Sequence, residues 1–129
     1  MEDPARFRVS SRLRSLGYAL RGLRLMLASQ HNAWIHTAAT LAVLLIAAAL
    51  QVKRYDWCWL VLAIAIVWTA EAMNTALEFL CDVASPEFHP LVEKAKDVAA
   101  GGVLISSLGA AIIGILVLGP PLWLLVTTR

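Results

Sequence analysis

The stretch WCWLVLAIAIVWTAEAMNTALEFL, from Trp57 to Leu80, decides how this chain is read. As a helix it would extend about 36 Å at ~1.5 Å per residue, enough to cross the ~30 Å hydrocarbon layer of a bilayer. Its first half is apolar, and then Glu71 and Glu78 appear. A carboxylate near the bilayer centre costs at least ~2.5–3.5 kcal/mol, so where these two point is informative. At ~100° per residue, Glu71, Asn74, Thr75, Glu78 and Asp82 fall on one stripe about 100° wide. Three readings are compatible with such a stripe. The outer carboxylates can reach into interfacial water, which suits Asp82 better than Glu71, about two turns deeper. Polar side chains can hold helices together, or protonatable groups can form a relay.

Working outward, the 129 residues are 60% hydrophobic, with a mean hydropathy of +0.71. Soluble domains run nearer ~45–50% apolar, so the excess points to lipid. A second apolar span is expected over 33–50 and a third over 98–118, the latter ending at Gly119-Pro120-Pro121. QVKRYD (51–56) forms a polar turn, and a longer polar loop is expected over 82–97. Trp57, Trp59 and Trp123 sit where interface anchors belong. Residues 1–9 read as a weakly ordered end. Strong hydrophobicity begins only near Ala33, with no small-residue cleavage pattern, so the N-terminal stretch is expected to be retained.

Between Ser10 and Ala28, Leu13, Leu16, Leu20, Leu23 and Leu27 recur at steps of three and four among Arg12, Arg14, Arg21 and Arg24. That spacing predicts an amphipathic helix over 10–30, lying in the interface with its arginines against anionic headgroups. Docking on a protein partner is the alternative. The fold class is therefore an all-α membrane protein, a single domain over 1–129 with one interfacial helix and three transmembrane helices. Cys58 and Cys81 stand about 34 Å apart on one helix, too far for a bridge within a subunit. Both are expected as buried thiols. Nucleic acid is not an expected partner.

Orientation follows from the basic residues. With three crossings, Arg6, Arg8, Arg12, Arg14, Arg21, Arg24, Lys94 and Lys96 share one side, against Lys53, Arg54 and Arg129 on the other. The positive-inside rule makes the N-terminus and the 82–97 segment cytoplasmic, the side that holds ATP. That segment carries Glu87, His89, Glu93, Lys94, Lys96 and Asp97, followed by Ala99, Ala100, Gly101 and Gly102. Small residues at a helix start allow close backbone approach, and a helix N-terminus offers free N–H groups to anions. Carboxylates, an amide and a lysine gathered at one interface resemble a magnesium–phosphate site. Neither G-x-x-x-x-G-K-[ST] nor G-x-G-x-x-G is present, so any nucleotide site belongs to a different architecture.

Glu71-Ala72-Met73-Asn74-Thr75-Ala76-Leu77-Glu78 resembles the E-x-x-N-[ST]-A-[IL]-E signature of the prokaryotic diacylglycerol kinase and undecaprenol kinase family. Ala95-Lys96-Asp97 with residues 99–102 resembles its A-K-D block, and Gly17-Tyr18 and Gly22-Leu23-Arg24 resemble its N-terminal helix. The likeness covers roughly residues 15–118. It implies a lipid kinase of the inner membrane, a homotrimer with active sites between neighbouring subunits, that transfers the γ-phosphoryl group of ATP with Mg2+.

By position, the resemblance makes Glu71 the general base on the lipid hydroxyl, with Asn74 positioning the reacting groups. Glu78 would bind the metal. Lys96 would neutralise phosphate charge, and Asp97 would support the metal or the nucleotide. Tyr18, Glu87 and His89 match nucleotide-contacting positions. The family's second metal-binding glutamate falls on Gln30, which offers a carbonyl oxygen but no charge, and a nucleotide-contacting arginine falls on Ser11. Asn32-Ala33-x-Ile35-His36 and residues 89–101 look closer to the undecaprenol branch, since the diacylglycerol branch typically has Glu where His36 stands. Undecaprenol is thus the favoured acceptor and diacylglycerol the alternative. A small proton-coupled channel or transporter subunit is the reading from another class. It needs protonatable groups spread through the membrane, and the third span has none.

Overall fold

The structure, a computed structural model, describes residues 9–128, without the side chains of residues 9, 10, 11 and 13. Arg6, Arg8 and Arg129, residues 1–8 of the expected weakly ordered end, and the side chains of Ser11 and Leu13 therefore lie outside the described residues, while Val9 is already helical. The described residues form four helices: α1 (Val9–Ser29), α2 (His31–Ala49), α3 (Arg54–Ala84) and α4 (Pro90–Thr127). Of these, α2, α3 and α4 are long and apolar enough to cross a membrane.

The breaks between helices have local causes. At Gln30 the backbone is extended (φ −111°, ψ 119°), and its side chain makes no cap; it is engaged elsewhere. After α2, Gln51 takes a left-handed φ of 49°. Its N–H donates to Ala48 O (3.1 Å) while Val52 N–H donates to Ala47 O (3.2 Å). This is a Schellman ending, which satisfies two carbonyls of the last turn. Its short connection makes α2 and α3 antiparallel neighbours. Tyr55 and Asp56, expected in the turn, are already helical, with Asp56 favourably placed at the positive end of α3.

The polar segment 82–97 is mostly helix, contrary to expectation. Only residues 85–89 are irregular. Pro90 occupies the first helical position, where its missing N–H loses nothing, and His89 Nδ1 accepts from Leu91 N–H at 3.2 Å. So α4 begins eight residues before the expected start at 98. It also runs past Gly119 and through Pro120 and Pro121 to Thr127. Each proline removes one N–H from the helix, a loss that membrane helices tolerate where neighbouring groups compensate.

The central element is α3, packed most extensively on α4 and more lightly on α2, while α1 touches α2 and α3. Ala47, Leu60 and Leu118 form a buried core beside the α2–α3 turn, with Val43, Trp57 and Val117 packed against it. Trp68 Nε1 donates to Thr40 Oγ1 at 3.1 Å, tying α3 to α2 midway along their length. Many large apolar side chains stay exposed on the spans, among them Leu45, Ile66, Ile105 and Leu116. Against lipid tails, as apolar as leucine, this exposure carries little penalty. On α1, Met26 is buried, whereas Leu16, Leu20 and Leu23 are exposed. Cys81 is buried as expected, but Cys58 is exposed, and both are free thiols. Cys58 lies on the second turn of α3, where its Sγ contacts Arg54 O at 3.6 Å.

Candidate active site

The carboxylate stripe faces inward. Glu71, Asn74 and Thr75 expose 0%, 4% and 3% of their surfaces, so the helical period that aligned them also directs them into the protein. Thr75 Oγ1 donates to Glu71 O one turn back, at 2.9 Å, and so does not compete for the carboxylate. Neither Glu71 oxygen has a hydrogen-bond partner among the described residues. Its ionic neighbour is His36 on α2, with Nε2 at 3.8 Å from Oε2.

Glu78, one heptad further along, is half-buried and held from two sides. Asn74 Nδ2 donates to its Oε1 at 2.9 Å, and Gln30 Nε2 donates to its Oε2 at 2.5 Å. The extended backbone at Gln30 brings the α1–α2 junction onto α3, joining residues 48 positions apart. Hydrogen bonds to a charged acceptor are about twice as strong as neutral ones, so this tie fixes the base of α1. Asn74 Oδ1 is buried without a partner among the described residues.

The donor set suits a hard cation that brings ligands with it. One carboxylate and two side-chain amides offer oxygens, and rotation of the amides would turn their carbonyls toward an ion on Glu78. Among the described residues no group of three His, Cys, Asp or Glu forms a metal cage. Magnesium characteristically takes one or two carboxylates, completing its shell with substrate phosphates and water. Gln30, Asn74 and Glu78 fit that pattern.

The remaining residues singled out in the sequence stand apart from this cluster. Lys96 Nζ donates to Asp82 Oδ1 at 2.6 Å, so its ammonium is engaged with the outermost stripe residue rather than with Glu71 or Glu78. Asp97, Glu87 and His89 are exposed. His89 serves as the cap of α4. Tyr18 is exposed on α1, with the Arg21 guanidinium 4.8 Å from its ring centre. Residues 99–102 lie inside α4 rather than at its start, so their N–H groups are spent within the helix. A Cβ added at Gly101 or Gly102 would meet nothing within 4 Å; within this chain the small residues leave space, not close contact.

Sequence reasoning gives no site role to His36. A polar side chain inside an alanine- and leucine-rich span is the available signal, the same one that marks Glu71. His36 also lines a cavity of about 630 Å³ between α2, α3 and α4, walled by aliphatic side chains with Thr40 and Ser107 among them.

Comparison with known proteins gives the chain a family. Residues 17–118 match the family model described as prokaryotic diacylglycerol kinase. The chain is 33% identical over 109 residues to the undecaprenol kinase of Bacillus subtilis, covering 84% of this chain and 89% of that protein. It is 38% identical over 109 residues to a diacylglycerol kinase of Synechocystis, covering 84% of this chain and 62% of that protein. With the Escherichia coli K12 diacylglycerol kinase it shares 31% identity over 107 residues, 78% of this chain and 82% of the other. A family match over most of the chain, on three membrane-length helices, makes this protein a member of the prokaryotic diacylglycerol kinase family: a membrane-embedded lipid kinase that takes its phosphoryl group from a nucleotide.

Proposed function

We propose that the chain transfers the γ-phosphoryl group of ATP to the hydroxyl of undecaprenol, at the cytoplasmic face of the inner membrane. The observation that carries this reading is the fully buried Glu71, whose two oxygens have no hydrogen-bond partner among the described residues, set one heptad from the Gln30–Asn74–Glu78 cluster. Glu71 takes the proton from the lipid hydroxyl, and Asn74 helps to position the reacting groups. Lys96 neutralises phosphate charge and Asp97 supports the nucleotide side, with Tyr18, Glu87 and His89 bordering the nucleotide. Glu78 with the carbonyls of Gln30 and Asn74 would hold Mg2+, which when bound neutralises charge on the phosphates. Catalysis of this kind rests on positioning and electrostatics more than on covalent chemistry.

Lys96, Asp97, Glu87 and His89 lie near the surface of this chain, and a nucleotide held there needs further walls. A homotrimer with its sites between subunits supplies them. Residues 1–129 act as one kinase domain, and α1 lies in the cytoplasmic interface with its exposed leucines toward lipid and its arginines toward anionic headgroups. The acceptor assignment draws on the relative named undecaprenol kinase and on His36. Diacylglycerol is the second reading, favoured by the Synechocystis relative's name.

The test is transfer of labelled phosphate from ATP in detergent–lipid micelles with magnesium, each acceptor offered separately. Label in undecaprenol is expected. Higher kcat/KM on diacylglycerol would move the assignment to the second reading, and label in neither lipid from well-folded protein overturns the kinase mechanism given above.

Gln30→Glu tests the metal assignment. It would place a second carboxylate where an amide now donates to Glu78 at 2.5 Å, and like charges even when relaxed to ~4 Å repel by about 4 kcal/mol at an effective dielectric of ~20. A cation between them removes that repulsion. The variant is expected to need roughly three to ten times less magnesium for half-maximal rate, and to melt at lower temperature than the parent without metal. An unchanged magnesium requirement would show that residue 30 does not touch the metal.

A further inference from the structure

Among the described residues Glu71 is the one carboxylate that is wholly buried, yet nothing on its own helix orients it. Thr75 bonds the Glu71 backbone, Asn74 turns its amide toward Glu78, and both Glu71 oxygens are left over. A base whose carboxylate rotates freely presents its lone pairs to the substrate only part of the time. Bases in other enzymes are commonly oriented by a third group that bonds the side not facing the substrate. The ionisable neighbour within 4 Å is His36, with Nε2 at 3.8 Å from Oε2. That gap is about 0.6 Å longer than the ~3.2 Å limit of an N–H···O hydrogen bond.

His36 also borders an apolar cavity. It lines the cavity between α2, α3 and α4 alongside Ile35, Val67 and Ser107, and its side chain is only 16% exposed. Val67 lies one turn before Glu71 on α3, so the imidazole spans the space between an apolar wall and the carboxylate. We propose that His36 is a positioning residue. It donates Nε2–H to Glu71 Oε2 and so leaves Oε1 to accept the proton of the acceptor hydroxyl. The proton of His36 is not transferred. This rests on Glu71 being the base, as proposed above.

The test compares His36→Ala, His36→Gln and Glu71→Gln in the same lipid-kinase assay, with thermal melting in detergent to establish folding. If His36 orients the base, His36→Ala lowers kcat about tenfold or more while KM for ATP and for lipid stays within about twofold. His36→Gln, which keeps an N–H donor of similar reach, recovers at least half of the lost rate on a logarithmic scale. A kcat within twofold of the parent in His36→Ala, beside an inactive Glu71→Gln, overturns the proposal and leaves Glu71 as base. Equal impairment of both His36 variants with a raised lipid KM assigns His36 to packing of the cavity and overturns it too. Near-normal turnover in Glu71→Gln removes the base reading and this proposal together.

Discussion

Glu71→Gln is expected to reduce turnover by roughly 10²–10⁴-fold, the range that general-base catalysis contributes, without harm to folding. The substitution keeps the shape of the side chain and removes both its charge and its ability to accept a proton. In an ordinary buried position such a change breaks partners. Here the described residues offer no hydrogen bond to break: both oxygens of Glu71 lack one, the residue is completely shielded, and its ionic neighbour His36 stands 3.8 Å away. The amide fills the same space and breaks no hydrogen bond, so the melting temperature should change little. The pair of results discriminates sharply, because a structural carboxylate would lose stability and activity together. ATP affinity, measured by equilibrium binding, should stay within about twofold. Near-normal rates would remove Glu71 from the chemistry.

The stripe on α3 is legible in the sequence because a helix repeats every ~3.6 residues. With Glu71 on a helix, Asn74, Thr75 and Glu78 follow onto its face, and the fold buries the first three. Periodicity speaks only about one helix at a time. It does not show that Gln30 reaches Glu78 across 48 positions, because that contact depends on the extended backbone between α1 and α2. His36 escapes for the same reason: its partner stands on another helix. Asp82 is a mixed case. The period puts it on the stripe, and it is exposed, as the interfacial-water reading of the outer carboxylates expects; what periodicity does not show is its pairing with Lys96 on α4.

Helix ends are also poorly legible wherever proline suggests a stop. Pro90 starts α4 instead of delaying it, and Pro120 and Pro121 do not end it. Proline is forbidden only where its missing N–H or its ring conflicts with the preceding turn, so its meaning depends on position within the helix. The same shift of the α4 start carries the small residues 99–102 from an expected helix end into the helix interior. There, open space lies beside the glycines, which the homotrimer proposed above would fill.

Glu78 separates binding from proton transfer, and its substitution is the second large effect expected. Glu78→Gln keeps the length of the side chain and one carbonyl acceptor, so one of the two amide hydrogen bonds from Gln30 and Asn74 survives. Glu78→Ala removes both, along with charge-assisted bonds worth ~1.5–3 kcal/mol each. Both variants should lose about a hundredfold or more in kcat/KM for magnesium–ATP. Only the alanine variant should melt markedly lower, because only there does the α1–α2 junction come free of α3. The signature that distinguishes Glu78 from Glu71 is the dependence on metal. Raising magnesium should recover part of the Glu78→Gln activity and none of the Glu71→Gln activity, since a weakened cation site is filled by mass action whereas a missing base is not. If saturating magnesium left Glu78→Gln as inactive as Glu71→Gln, with unchanged ATP affinity, Glu78 would belong to the proton-transfer step and the division of labour along α3 would have to be redrawn.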